Sequence, residues 1–292
     1  VKYNLRQLAQ GNRKRPFRTV ANLKSQEVAI SRPYLALTSA WSNAAASLMP
    51  VYAAALVSGE LEQLSDEQDA KASEIALILA MLAQQFRPIF AGIEQWHRAK
   101  WVANVKAAAG VDVAPYVAVD AVGGAVAAPA VAATEGGTVI QAAKAATGIA
   151  RTEAASSATA LVNNAVLQNT TLLRSVSGDI RARLASVLFN GIAQKTATDK
   201  IARQVTEILQ KAGKRGKRIA KDQAEKIVAQ LVQFRAEEAD LGSFRWKHLY
   251  VGPNPRHVHV LRNNKIYRWD DAPADLPSQL PFCQCQAQPL WD

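Results

Sequence analysis

Between residues 219 and 240 the apolar positions Ile219, Ala224, Ile227, Val228, Leu231 and Phe234 recur at separations of three, four and seven, the stripe of one long amphipathic helix. Gly242 is placed to stop it. Residues 244–251 then read as a strand, and the run Gly252, Pro253, Asn254, Pro255 breaks it. Residues 256–259 lead into a second short extended piece at 265–269, and Cys283-Gln284-Cys285 closes the unit. Short strands packed on the long helix through Trp246, Ile266 and Trp269 are expected.

Upstream the pattern is helical with interruptions. Residues 35–56 are rich in Ala and Leu and are expected to kink or break near Pro50. The sequence Ser65-Asp66-Glu67-Gln68 has the form of a capping box opening the next helix, whose apolar residues include Ile75, Leu77, Leu79 and Leu82. Pro88 kinks or ends that helix, and residues 90–105 resume it. This puts Trp96, His97 and Trp101 close together, where packing is a more economical account than a site. Residues 111–148 are dominated by Ala, Val and Gly with Pro115 and Pro129. Asp112, Asp120, Glu135 and Lys144 cut their apolar run below the ~18 residues a membrane span needs. Small-residue helices packed closely on a neighbour, or a linker ordered in an assembly, fit that stretch better.

The expected fold is therefore mainly α: a helical N-terminal region followed by a long helix and a small C-terminal α+β unit. Its divisions are a basic arm over 1–34, an Ala-rich helical region over 35–165, and a final region over 166–292 whose α+β part is 241–292.

Charge adds a second layer. The chain has 292 residues and a formal net charge of +11. In the first 34 residues Lys2, Arg6, Arg13, Lys14, Arg15, Arg18, Lys24 and Arg32 face one acid, Glu27. A second concentration, Lys211, Lys214, Arg215, Lys217, Arg218 and Lys221, spans what reads as a Gly-punctuated loop and the first turn of the long helix. Cations at a helix start oppose its dipole, so helix stability does not account for them. Arg13, Lys14, Arg15, Arg18, Lys214, Arg215, Lys217 and Arg218 are the candidate contacts to double-stranded DNA, set against solvated surface. Tyr3 and Phe17 are the only aromatics interleaved with the first cluster, too few for base stacking to be expected. Residues 1–34 hold no apolar core of the length a signal peptide requires.

Chemistry could reside in the tail. Three of the four histidines, His248, His257 and His259, and both cysteines lie there. Read as extended backbone, His257-x-His259 and Cys283-x-Cys285 would each present two side chains to one face. His257, His259, Cys283 and Cys285 are the candidate zinc ligands, against the alternative of reduced cysteines packed as small hydrophobes with His259 as a hydrogen-bonding residue. Neither a nucleophile elbow nor a phosphate-binding Gly loop is recognisable, so no catalytic residue is assigned.

The order of these motifs resembles the phage Mu F-like head morphogenesis family, minor capsid proteins of tailed bacteriophages. The residues carrying the likeness are Ala220-Lys221-Asp222-Gln223, Lys226, Leu241-Gly242, Phe244-Arg245-Trp246, Arg256, His259, Trp269-Asp270-Asp271-Ala272-Pro273 and Cys283-Gln284-Cys285. Asn169 to Leu173, Arg181 to Gly191 and Thr198 to Leu209 also resemble the family arrangement. Departures are Asn254 or Pro255 where an acid usually opens the Arg-x-x-His segment, Asn264 for a Gly after the His, and Gln284 for Arg. The likeness implies structural roles for Asp222, Gln223, Trp246, Arg256, His259, Trp269, Asp270, Cys283 and Cys285. It further implies a non-enzymatic protein built into the phage head near the portal, in the virion and in host cytoplasm during assembly. Portal, major capsid or scaffold proteins and packaged DNA would be its partners, in an oligomeric assembly with no membrane. Two other classes stay open: an ejected DNA-binding virion protein, and a zinc-dependent enzyme or toxin-like domain. Some relatives carry an effector domain after Cys-x-Cys, and with this sequence ending at Asp292 none is expected.

Overall fold

In the computed structural model, which describes residues 2–12, 14–117, 157–249 and 254–291, the chain is mainly helical with a small antiparallel sheet near its C-terminus. The elements are α1 (Leu5–Leu8), α2 (Lys24–Ser58), α3 (Glu62–Gln84), α4 (Phe86–Ala109), α5 (Ala158–Ala193), α6 (Thr198–Glu238), β1 (Ser243–Lys247), α7 (His257–Leu261), β2 (Ile266–Arg268) and β3 (Gln286–Pro289). They fall into two compact units. One comprises residues 27–87 and 166–221; the other comprises 1–26, 88–165 and 222–292. These divisions differ from the arm, Ala-rich region and final region read along the sequence, because long helices contribute segments to both units.

The first unit is built from helices. Tyr34 of α2 donates to the Asn169 side chain (3.1 Å), Trp41 to Ser177 (2.9 Å) and Tyr52 to the Thr196 carbonyl (2.7 Å). The partner numbers rise together, so α2 and α5 run parallel. α2 is continuous through Pro33 and Pro50, so of the kink or break expected near Pro50 a break does not occur. α3 begins a turn before the expected capping box: Leu61 occupies the N-cap, without a side-chain cap, and Ser65 lies within the helix. By length and composition Lys24–Ser58 and Glu62–Ala109 could each cross a membrane. The second stretch is divided at Gln85 into α3 and α4, and Pro88 sits in the first turn of α4, where its missing N–H costs no helical bond.

The clearest departure from the sequence pattern is α6. Gly213 and Gly216 do not mark a loop; they lie inside one unbroken helix of 41 residues. Gly216 is buried against α2, and a Cβ there would stand 2.7 Å from the Tyr34 Cβ. Glycine at this position serves close helix approach. Gly216→Ala is accordingly expected to lower stability by about 1–3 kcal/mol despite alanine's better helix propensity, read as a lower urea midpoint. A gain in stability would refute this packing role.

The second unit joins α4 residues 88–109, α6 residues 222–238, the sheet and the N-terminal segment. α6 ends in a Schellman turn: Leu241 N–H donates to the Ala236 carbonyl (3.0 Å) and Asp240 N–H to that of Glu237 (3.3 Å). Asp240, at φ 58°, takes the left-handed position expected of Gly242. Its carboxylate accepts from Asn4 (2.8 Å), whose own side chain caps α1.

Residues 2–26 are not a free arm. Tyr3, Leu5 and Phe17 are buried with Trp101, Val105, Ala236 and Leu241 in one core cluster. Phe17 stacks between Trp101 and Trp291 at centroid distances of 6.0 and 4.8 Å. Arg15 N–H donates to the Ala108 carbonyl (2.7 Å), and Asn104 accepts from the Arg18 N–H and donates to its carbonyl.

The sheet order is β2-β1-β3, both pairings antiparallel. Directly opposed residues share a face. Phe244 opposes Tyr267, and Trp246 opposes Ala287, so these point inward over Val232 of α6. Trp269 stacks on Phe244 at 4.2 Å. Ile266 opposes Arg245 and is exposed, contrary to its expected place in the core.

Candidate functional site

The residues singled out by motif order converge on one loop, residues 278–285, which enters β3. The loop is irregular, with Ser278 and Phe282 at positive φ (61° and 59°). Asp222, buried in α6, accepts from the Phe282 N–H at 2.5 Å and pairs through its other oxygen with Lys226 at 2.8 Å. Gln223 donates to the same carboxylate at 3.2 Å. Arg256 donates to the Pro281 carbonyl (2.7 Å), and Ser278 to the Cys285 carbonyl (2.6 Å). Side chains from α6 and from the start of α7, with the loop's own Ser278, thus hold one stretch of chain whose backbone groups form no sheet ladder.

Inside the loop lie sulfur and imidazole. His259 is 2% exposed; its Nδ1 stands 3.3 Å from Cys283 Sγ and 3.5 Å from Cys285 Sγ. Its Nε2 is 3.0 Å from Asp275, which also accepts from Arg262 (2.7 Å). Trp246 meets the His259 ring edge-on at 5.3 Å, and the Arg262 guanidinium lies 5.0 Å from the Trp246 ring centre. The ligand atoms of His259, Cys283 and Cys285 all lie within 4.8 Å of one another. Both cysteines are free and buried. Their titrations are linked: a hydrogen bond from Cys285 favours the thiolate at Cys283, lowering it to about 5, and the same bond with burial holds the Cys285 thiol well above the ordinary range. Arg262 and His259 hydrogen bonds lower the Asp275 carboxyl against the opposing effect of burial.

Two of the expected zinc ligands do not share a face. Residues 257–261 form a helical turn where extended backbone was expected, so consecutive side chains rotate by about 100° and residues two apart point away from each other. His259 is buried and His257 exposed. In place of His257, His248 comes to the cluster, its Nδ1 3.4 Å from Cys285 Sγ. Alternation along β1 could have found it: Phe244 and Trp246 point inward, and His248 continues that face.

Trp269 and Asp270 lie outside the cluster, Asp270 in an exposed ion pair with Arg268 (2.8 Å). Asn264, at φ 65°, adopts the left-handed turn that a Gly would otherwise supply.

Cys283 and His259 have the spacing of a nucleophile and base, but at 3% and 2% exposure neither meets solvent. The basic candidates are displayed on the surface. Lys14, Arg15 and Arg18 are exposed beside buried Phe17, with Lys14 5.3 Å over the Trp291 ring. On α6, Lys214, Lys217, Arg218 and Lys221 form one exposed stripe at helical spacing. Arg215 pairs with Asp179 and Lys211 with Glu207 (2.6 Å), so part of this cluster is neutralised locally. The stripe lies mid-helix in α6, so the dipole argument raised by its expected place at a helix start does not apply. Arg13 lies outside the described residues, as does most of the 111–148 stretch.

Residues 180–288 match the family described as Phage Mu protein F like protein. A protein of Haemophilus influenzae described as "Uncharacterized protein" is 25% identical over 136 residues, covering 46% of this chain and 30% of that protein. The chain thus spans under a third of this relative's length. No solved structure matches.

Proposed function

We propose that this chain is a structural protein of head morphogenesis in a tailed bacteriophage, built into the head near the portal and lying against packaged DNA. The observation carrying this reading is that Asp222, Arg256 and His259, motif residues of the matched segment, converge on the one loop that carries Cys283 and Cys285 and so build a single surface unit. Such a unit suits docking on another head protein. Portal, major capsid and scaffold proteins are the partners proposed, and no membrane enters the reading.

Cross-linking mass spectrometry on purified heads of the phage or prophage encoding the chain tests it. The chain should be recovered with the heads and cross-linked to the portal. Absence from purified particles, with turnover of a substrate by the free chain, would overturn the proposal.

The exposed cations support DNA contact and, with it, a second reading in which the protein leaves the head with the genome. Binding of the full chain to non-specific duplex DNA should weaken steeply with salt. Replacing Lys214, Lys217, Arg218 and Lys221 by alanine should reduce the log–log salt slope by about 0.9 for each phosphate no longer neutralised, as should replacing Lys14, Arg15 and Arg18. A slope unchanged in both variants would assign these cations to protein partners or solvent. Recovery of the chain with ejected DNA would favour the second reading.

A further inference from the structure

We propose that His248, His259, Cys283 and Cys285 form a tetrahedral zinc site that fastens the loop before β3 to the end of β1 and to α7. The inference stands independently of the role in the phage head.

The distances fit the coordination. With Zn–S of about 2.3 Å and Zn–N of about 2.05 Å, a tetrahedron has N···S edges of roughly 3.5 Å. Of the four such edges that two sulfurs and two nitrogens need, three stand at 3.3, 3.4 and 3.5 Å; His248 meets Cys285 but lies outside the group of His259, Cys283 and Cys285 whose ligand atoms are all within 4.8 Å of one another, so binding must draw its ring inward to close the fourth. A thiol donating to imidazole reaches similar lengths, but it does not require the His259 Nδ1, with its single lone pair, to face two sulfurs at once. A shared metal ion does. Both imidazoles present Nδ1, and the other nitrogen of His259 is held by Asp275, itself anchored by Arg262. That carboxylate–histidine arrangement orients a ligating imidazole and raises its basicity.

Charge and size point the same way. Zn²⁺ displaces the two S–H protons to solvent, and the resulting pair of thiolates cancels its charge, leaving a neutral buried centre. The structural need is visible as well. The sheet has strands of five, three and four residues, and between β2 and β3 the chain runs irregularly through residues 269–285. A structural metal is a common staple where so little regular structure is available. The donor set of two sulfurs and two imidazole nitrogens in tetrahedral array selects zinc over harder divalent ions.

Elemental analysis of the full chain, purified without added metal or chelator, tests the proposal directly. One zinc per chain is expected. After removal of metal under reducing conditions, Co²⁺ should restore the visible absorption of a tetrahedral site with thiolate-to-cobalt charge transfer in the near ultraviolet. His248→Ala should abolish that spectrum, His257→Ala should leave it unchanged, and Asp275→Asn should weaken zinc binding about 10- to 100-fold. Wild-type chain that is helical by circular dichroism yet holds no zinc and gives no tetrahedral cobalt spectrum would overturn the site and leave a hydrogen-bonded thiol–imidazole cluster. Loss of the spectrum in His257→Ala but not in His248→Ala would overturn the ligand assignment. The wild-type measurement needs no variant, so a misfolded mutant does not decide the question.

Discussion

Replacing Arg235 by alanine is expected to destabilise the chain by about 3–5 kcal/mol, enough to unfold much of a marginally stable domain. The guanidinium is fully buried, donating to Glu94 at 2.6 Å and to Glu238 at 2.5 Å. Removing it leaves two carboxylates in an interior without the cation between them. Attraction in the wild type offsets desolvation; in the variant only the desolvation remains. Replacing the charges together should behave differently. Arg235→Met combined with Glu94→Met and Glu238→Met exchanges all three charges for apolar volume and should recover most of the loss. Urea unfolding with an unchanged denaturant slope reads both quantities. A cost below about 1 kcal/mol for Arg235→Ala would show that water enters and screens the acids.

A second large effect should appear on acidification. His97 is fully buried beside this ion-pair system, neither ring nitrogen has a hydrogen-bond partner among the described residues, and burial followed by the Arg235 charge lowers it to about 3. Between the ordinary histidine value near 6.5 and that depressed value, the unfolded chain binds the proton and the folded chain does not. Stability is therefore complete above about pH 6.5 and falls as pH drops toward 3, by roughly 1.4 kcal/mol per pH unit once the unfolded imidazole is fully charged. The total approaches about 5 kcal/mol, an upper figure because local opening would admit water. His97→Leu should flatten this segment of the profile and leave stability at pH 7 equal or higher, since two buried unsatisfied nitrogens are removed. Chemical unfolding of both proteins at pH 7.0, 6.0 and 5.0 makes the comparison. Parallel curves would mean that other groups govern the acid transition.

These two residues show where sequence reading stops. The helical stripe from Ile219 to Leu231 is visible because every apolar member lies on one face. Arg235 belongs to the same helix, and nothing local distinguishes it from the exposed Arg218. Its burial depends on Glu94, which is 141 positions away. Similarly, the pairing of Trp246 and His259 in one region follows from motif order, but the exposure of His257, away from the cysteines that His259 and His248 meet, depends on a helical turn at residues 257–261. Five residues with two histidines and alternating valines read equally well as strand.

Glycine misleads in a related way. Gly213 and Gly216 among cations look like a loop, because a local window records glycine's flexibility and not the absence of a side chain as a packing requirement. The contact that demands it, Tyr34, lies far away in sequence. The N-terminal charges mislead for the converse reason. Lys14, Arg15 and Arg18 dominate the composition of their segment, while Phe17, packed between Trp101 and Trp291, is among the few residues that anchor it.

Local pattern was therefore sufficient for the helical character of the chain, the short strands around Trp246 and Tyr267, and the motif order shared with the Phage Mu protein F like family over residues 180–288. Periodicity and spacing are properties of neighbouring residues, and they survive without knowledge of what packs opposite. Packing between distant segments selected which glycine is a contact, which arginine is interior, and which histidine meets the two sulfurs. Those are choices among chemically equivalent side chains, and only desolvation by remote parts of the chain separates them.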